Sequence, residues 1–127
     1  MKLLLDTHAL IWWFNEPAKL SARAASILGN PGNTILISAA VAWELAIKVN
    51  LGKIDALPLV TELASHTAEE GFTELPISMA QAVRAGLLPR HHRDPFDRVL
   101  VAQAQDLNVP ILSADAVLDR YDVKRIW

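Results

Sequence analysis

Two carboxylates follow apolar segments at positions where α/β proteins place their functional groups. Asp6 directly follows the apolar run at residues 3–5, and Asp115 follows the apolar pair at residues 111–112 by three residues. In open α/β sheets, binding sites form beyond the carboxyl ends of the strands. The sequence therefore predicts that both carboxylates lie at one edge of a sheet, although each could instead serve as an ordinary helix cap.

A third acid, Glu44, lies on a predicted helix that Ser38 can cap and that Gly52 ends near residue 51. This helix is apolar nearly all round, which predicts that it is largely buried. Glu44 and Lys48 form its only polar stripe, so that stripe should face water or a functional site. The alternative is an ordinary surface ion pair between residues four positions apart.

The fourth acid, Asp97, lies in the first turn of a helix that Asp94 and Pro95 open, since proline suits the first helical position. This helix should reach about residue 106. Asp94 has a strong alternative role as the helix cap, because an acid three residues further on resembles a capping box. Phe96 and the apolar residues 99–101 bury the rest of the turn, which favours Asp97 for chemistry.

Taken together, these acids indicate a metal site. Clustering several buried carboxylates costs free energy unless cations neutralise them. The chain contains no cysteine, and all-oxygen ligation suits Mg²⁺ or Mn²⁺. We therefore expect a hard divalent cation held by Asp6, Glu44, Asp97 and Asp115.

A basic, histidine-containing stretch precedes the Asp97 helix. Around His91 and His92 lie four arginines: Arg84, Arg90, Arg93 and Arg98. They could form a rim that guides phosphates toward the acidic centre, or simply a solvated loop. A single histidine such as His8 is more often structural than catalytic, and His91-His92 are too few to predict a zinc site.

Apolar runs alternate with helical patterns along the chain, as in βαβ units around a parallel sheet. We expect an α/β fold, a three-layer α/β/α domain with a central parallel sheet of four to five strands. The predicted strands are residues 2–5, 34–37, 73–77, 110–112 and 123–126. The predicted helices are residues 9–14, 22–29, 39–51, 59–70, 79–87 and 95–106, with a short one after residue 115.

Bulk properties fit one soluble domain spanning residues 1–127, of which 52% are hydrophobic. The first residues are too short an apolar run for a signal peptide, and no stretch is long enough to cross a membrane, so we expect a cytoplasmic protein. The net charge of −2 does not itself favour nucleic-acid binding. Any affinity for RNA must therefore come from a local basic patch or from bound cations.

Four segments together resemble the PIN-domain family, and within it the VapC-type toxins of prokaryotic toxin–antitoxin pairs. They occur in the family's order and span almost the whole chain. The segments are Leu3-Leu4-Leu5-Asp6-Thr7-His8, Ile37-Ser38-Ala39-Ala40-Val41-Ala42-Trp43-Glu44-Leu45-Ala46-Ile47-Lys48, Asp94-Pro95-Phe96-Asp97-Arg98-Val99-Leu100-Val101-Ala102-Gln103-Ala104 and Ile111-Leu112-Ser113-Ala114-Asp115.

The resemblance implies a parallel sheet flanked by helices and a Mg²⁺- or Mn²⁺-dependent endoribonuclease whose acids are the four already selected. It also implies a homodimer and a cognate antitoxin that threads an extended segment into the active site. Trp12, Trp13 and Phe14 are candidates for the antitoxin groove. Residues expected to support the site or to contact RNA are Thr7, Ser113, Asp94, Lys48, Arg93 and Arg98.

Other functions stay open at this point. A housekeeping RNA-processing nuclease would use the same chemistry. An aspartyl-phosphate hydrolase matches only at Asp6, because its pattern requires a second Asp where this chain has His8. A metal-free ribonuclease would use His8, His91 or His92 as general acid and base. Finally, a non-catalytic interaction module could bind a basic peptide through its acids.

Overall fold

The computed structural model describes all of residues 1–127. The strands are β1 (Lys2–Leu5), β2 (Thr34–Ser38), β3 (Thr73–Leu75), β4 (Ile111–Leu112) and β5 (Arg125–Ile126). The helices are α1 (Thr7–Asn15), α2 (Ala22–Gly29), α3 (Ala39–Asn50), α4 (Leu57–Thr61), α5 (Leu63–Glu69), α6 (Met79–Leu87) and α7 (Pro95–Leu107). The five strands form one parallel sheet in the order β3-β2-β1-β4-β5, which confirms the predicted α/β/α fold.

The central strand β1 pairs with β2 on one side and with β4 on the other. Leu4 is in register with Leu36 of β2 and with Ile111 of β4. The three leucines of β1 are fully buried, as expected for a strand covered on both faces. The chain leaves β1 for β2 and returns on the opposite side at β4, so β1 is the point where the strand order reverses. Such a point is where α/β proteins bind ligands.

Side-chain caps begin the helices that carry the predicted site. Asp6 accepts a hydrogen bond from the Ala9 amide, and Ser38 accepts one from the Ala40 amide. Beyond α3, Gly52 has a φ of 72°, the left-handed conformation that lets glycine end a helix. These caps are local, and the sequence predicted them correctly.

Several predicted boundaries were wrong. The helix expected over residues 59–70 is two helices, α4 and α5, because the backbone leaves the helical region at Glu62 (φ −121°, ψ 30°). The third strand ends at Leu75 because Pro76, which has no amide hydrogen to donate, follows it. Pro110 lies outside β4, and the last strand contains only Arg125–Ile126.

Helix α3 differs from the prediction that it is largely buried. The side chain of Trp43 is 64% exposed, whereas Glu44, the next residue, is only 3% exposed. The exposed Trp43 ring packs edge-on against Phe96 of α7, with ring centroids 5.2 Å apart. The helix therefore turns an aromatic residue outward and a carboxylate inward, which already sets Glu44 apart from a surface acid.

The aromatic run of α1 is partly buried along its whole length. The rings of Trp12, Trp13 and Phe14 pack against Trp127, Phe72 and His66, with centroid separations of 5.8, 6.3 and 6.1 Å respectively. No helix of the structure combines the length and the apolar character that crossing a bilayer requires.

Candidate active site

Asp97 belongs to two groups of side chains that could hold a metal ion. In one group, ligand atoms of His92, Asp97 and Asp115 lie within 4.8 Å of one another. In the other, carboxylate oxygens of Glu44, Asp94 and Asp97 do so. The structure thus brings three of the predicted acids together and adds two neighbours, Asp94 and His92.

The fourth acid, Asp6, joins the cluster through Ser113. Asp6 is 5% exposed, and its Oδ1 accepts a 2.8 Å hydrogen bond from the Ala9 amide as the cap of α1. Its other oxygen, Oδ2, accepts a hydrogen bond from the Ser113 hydroxyl, whose oxygen in turn accepts one from the Asp115 amide at 3.0 Å. Asp6 therefore serves as a helix cap and is linked through Ser113 to the backbone of Asp115, beside the acidic cluster.

Glu44 is held by two neighbours. The Thr7 hydroxyl donates to its Oε1 at 2.6 Å, and Lys48 Nζ lies 2.7 Å from its Oε2. The Glu44 side chain is 4% exposed, whereas that of Lys48 is 27% exposed. This pair is consequently not an ordinary surface ion pair, since its carboxylate points into the protein toward the other acids.

Asp94 caps α7, as the sequence predicted, and it also lies in the acidic cluster. Its Oδ1 accepts a 2.8 Å hydrogen bond from the Phe96 amide at the start of α7. Its carboxylate also lies among those of Glu44 and Asp97. The first turn of α7 therefore contributes two acids.

Burial and repulsion by nearby carboxylates raise the pKa values of Asp97 and Asp6. The pKa of Asp97 is raised to about 7, first by burial and then by the charge of Asp94, while His92 opposes the shift. Burial also raises the pKa of Asp6, against the effect of its hydrogen bonds from Ser113 and Ala9. Such shifts show that negative charge is disfavoured here unless a cation compensates it.

The chemistry of the donor set fits a hard divalent cation. The donors are carboxylate oxygens with one imidazole nitrogen, that of His92, and the chain offers no thiolate. Mg²⁺ and Mn²⁺ prefer oxygen ligands of this kind. The cluster can therefore hold such an ion, and the ion would compensate the negative charge that burial disfavours.

Sequence reasoning did not foresee the contacts of His92. Its Nε2 lies 3.0 Å from Asp97 Oδ2 and 2.9 Å from Asp115 Oδ2, and its Nδ1 accepts a 3.1 Å hydrogen bond from the Asp94 amide. The sequence placed His92 in the basic stretch before the Asp97 helix, and its proximity to Asp94 along the chain was the signal that could have linked it to the acids. His8 and His91 pack instead against Trp12 and Tyr121.

The arginines of the predicted rim separate into different environments. The Arg98 guanidinium donates hydrogen bonds of 2.9–3.2 Å to backbone carbonyls, those of Ala85, Gly86, Leu88 and Pro89, and so does not point into the acidic cluster. Arg90 and Arg93 are exposed and line a cavity of about 370 Å³ together with His92, and Arg98 lines the same cavity. Arg84 lines a different cavity, with Asp122 and Lys124.

Comparison with known proteins gives consistent results. A family model described as "PIN domain" matches residues 3–124. The chain is 32% identical over 107 residues to Ribonuclease VapC22 of Mycobacterium tuberculosis. The aligned region covers 80% of this chain and 78% of that protein.

Solved structures also share the fold. The structure of VapBC2 from Rickettsia felis bound to a promoter DNA fragment matches with a TM-score of 0.73 and 16% identity, over 99% of this chain and 98% of that one. A toxin–antitoxin complex from Klebsiella pneumoniae matches with a TM-score of 0.58 and 21% identity, over 89% and 86% of the two chains. At these sequence identities, the two structural matches establish the fold alone.

Proposed function

This chain belongs to the PIN-domain family, and on that premise we propose that it is a metal-dependent endoribonuclease, the toxin of a type II toxin–antitoxin pair. The observation that carries the proposal is the assembly of Asp6, Glu44, Asp97 and Asp115 beyond the carboxyl end of β1. The curated relative is a ribonuclease, and one structural relative is a toxin–antitoxin complex. Residues 1–127 would form a single nuclease domain acting on RNA in the cytoplasm.

The acids divide the work at the proposed centre. Asp97, Asp115 and Asp6 would hold Mg²⁺ or Mn²⁺ directly, and Glu44 would hold the ion or orient a water molecule. When bound, such an ion makes hydroxide available near neutral pH and stabilises the charge that develops on the phosphate. Thr7 and Ser113 keep the carboxylates oriented through their hydroxyl donors.

The RNA backbone would approach along the exposed arginines beside His92. Arg90 and Arg93 line the cavity there, next to the histidine that contacts Asp97 and Asp115. Their guanidinium groups suit phosphate oxygens and would offset the repulsion expected from a chain of net charge −2.

We also propose two protein partners. One is a second copy of the chain in a homodimer, and the other is a cognate antitoxin whose extended segment reaches the acids. The aromatic side chains of α1 are only partly buried, which suits a groove for that segment. We expect this segment to carry a basic side chain, which would meet the same carboxylates that hold the cation.

The test compares the purified chain with Asp97→Asn on a panel of structured and single-stranded RNAs in Mg²⁺, in Mn²⁺ and in EDTA. We expect endonucleolytic cuts that leave 5′-phosphate ends and that disappear in EDTA and in the variant. The matched control is Asp122→Asn, an exposed acid outside the cluster, which should cut at the wild-type rate. Cyclic phosphate ends formed in EDTA would contradict the proposal and support a histidine mechanism.

The toxin role needs a separate measurement. Expression of the wild-type chain in a bacterial host should stop growth, whereas Asp97→Asn should not. Cleavage in vitro without growth inhibition would support a housekeeping nuclease instead. Cation binding without cleavage of any RNA would support an interaction module.

A further inference from the structure

We propose that His92 is a positioning residue that bridges Asp97 and Asp115 in the metal-free protein. When a cation binds, the His92 ring releases the two carboxylate oxygens that it contacts. The inference rests on the proposed metal centre. The His92 bridge consists of two contacts, since Nε2 lies 3.0 Å from Asp97 Oδ2 and 2.9 Å from Asp115 Oδ2. One nitrogen thus touches an oxygen of each of two acids assigned to the cation.

The other ring nitrogen determines what Nε2 can do. Nδ1 of His92 accepts a hydrogen bond from the Asp94 amide at 3.1 Å, so Nδ1 carries no proton in this arrangement. A neutral imidazole then carries its single proton on Nε2. A protonated Nε2 can donate to carboxylates but has no lone pair for a metal. His92 in this position therefore engages carboxylate oxygens that a cation would need, and its Nε2 would not itself ligate the cation.

The backbone around His92 is anchored, so the ring is held over the acids by a built arrangement. The His92 amide donates to the Tyr121 hydroxyl at 2.9 Å, and that hydroxyl donates to the Pro89 carbonyl at 2.9 Å. Arg98 additionally binds the carbonyls that precede this segment. Cation binding can therefore displace the ring by rotation about its own side-chain bonds while the loop stays in place.

The bridge and the cation compete for the same oxygens, so each weakens the other's binding. Hydrogen bonds to charged groups are among the stronger ones in proteins, and losing a competing bond of this kind should tighten cation binding roughly tenfold. The same loss should destabilise the metal-free protein, because Asp97 and Asp115 then face each other without a shared donor.

Two substitutions separate the roles of the two ring nitrogens. In His92→Asn, the side-chain oxygen can replace Nδ1 as acceptor for the Asp94 amide, but no atom reaches the position of Nε2. In His92→Gln, the longer side chain can bring an amide N–H close to that position. The matched control is His91→Asn, because the neighbouring histidine is exposed and packs on Tyr121.

The experiment titrates each full-length, metal-free protein with Mn²⁺ by calorimetry and measures Tm without and with saturating Mn²⁺. We expect His92→Asn to bind Mn²⁺ roughly tenfold more tightly than the wild type and to have a lower Tm without metal. In saturating Mn²⁺ the two proteins should have the same Tm. His92→Gln and His91→Asn should stay near the wild type.

The outcomes distinguish the two proposals. If the wild type binds Mn²⁺ and His92→Asn binds it equally tightly, the bridge does not compete with the cation and this inference is wrong. Weaker binding by His92→Asn would overturn it too, because His92 would then be a ligand. If the wild type binds no Mn²⁺ and loses no RNA cleavage in EDTA, the metal centre itself is wrong and the bridge falls with it.

Discussion

The Thr7 hydroxyl donates a 2.6 Å hydrogen bond to Oε1 of Glu44, which joins the first turn of α1 to the inward face of α3. The second oxygen of the same carboxylate lies 2.7 Å from Lys48 Nζ. Both oxygens of Glu44 are therefore held by the protein itself. Of the two roles proposed for Glu44, this arrangement favours the orientation of a water molecule over direct binding of the cation.

Removing the Thr7 hydroxyl should slow RNA cleavage without abolishing it. In Thr7→Val, Glu44 loses a buried donor, and loss of a group that orients a metal-site carboxylate typically costs about 10–100-fold in activity or metal affinity. Single-turnover cleavage in saturating Mn²⁺ measures the effect. Thr7→Ser retains the hydroxyl and serves as the control. Equal rates for the valine and serine variants would show that this hydrogen bond does not matter for cleavage.

Asp97→Asn should abolish cleavage and leave the metal-free protein as stable as the wild type or more stable. Asp97 belongs to both groups of ligand atoms, so no other acid can replace it. Its charge is disfavoured by burial and by Asp94, and the substitution removes that charge. Chemical unfolding in EDTA at pH 7 tests the stability. A variant that is much less stable than the wild type would show that the carboxylate contributes to folding.

The metal-free protein should lose stability as the pH rises from about 4 to above 7. The folded-state pKa of Asp97 is about 7, above its unfolded value of 3.8. The folded state therefore holds a proton that the unfolded state releases, and stability falls over this pH range. Burial raises the pKa of Asp6, which acts in the same direction.

The measurement is the free energy of unfolding in EDTA at several pH values for the wild type and for Asp97→Asn. The variant should show a shallower decline because only the contribution of Asp6 is left. Parallel curves for the two proteins would mean that Asp97 is not the titrating group.

The parts of the site that the sequence predicted depend on local signals. Asp6 and Asp115 follow strands, and Asp94 opens a helix next to a proline, so neighbouring residues define their positions. The contact of His92 with Asp115 joins residues 23 positions apart and depends on how a loop is anchored. No periodic pattern encodes such a loop. The break at Glu62 was missed for a different reason, because the helical pattern of the sequence continues through it.

Arg98 should matter for stability more than for RNA binding. Its guanidinium donates to four carbonyls near the end of α6. A lysine ammonium has fewer donors and no planar fork, so it cannot reproduce this arrangement. We expect Arg98→Lys to lower the free energy of unfolding by about 1–3 kcal/mol. Thermal unfolding measures this effect. Wild-type stability together with weakened RNA binding would assign Arg98 to the substrate instead.

Arg93 lines the same cavity beside His92, but it is exposed, whereas the Arg98 guanidinium is bound to backbone carbonyls. Arg93→Gln should leave Tm unchanged and weaken RNA binding. If its guanidinium contacts one phosphate, the slope of log K against log salt should decrease by about one. Binding of a non-cleaved RNA to Asp97→Asn, with and without Arg93→Gln, measures that slope while cleavage is blocked. An unchanged slope would place the RNA backbone elsewhere, whereas a changed slope would fix the side of the acidic cluster from which the substrate enters.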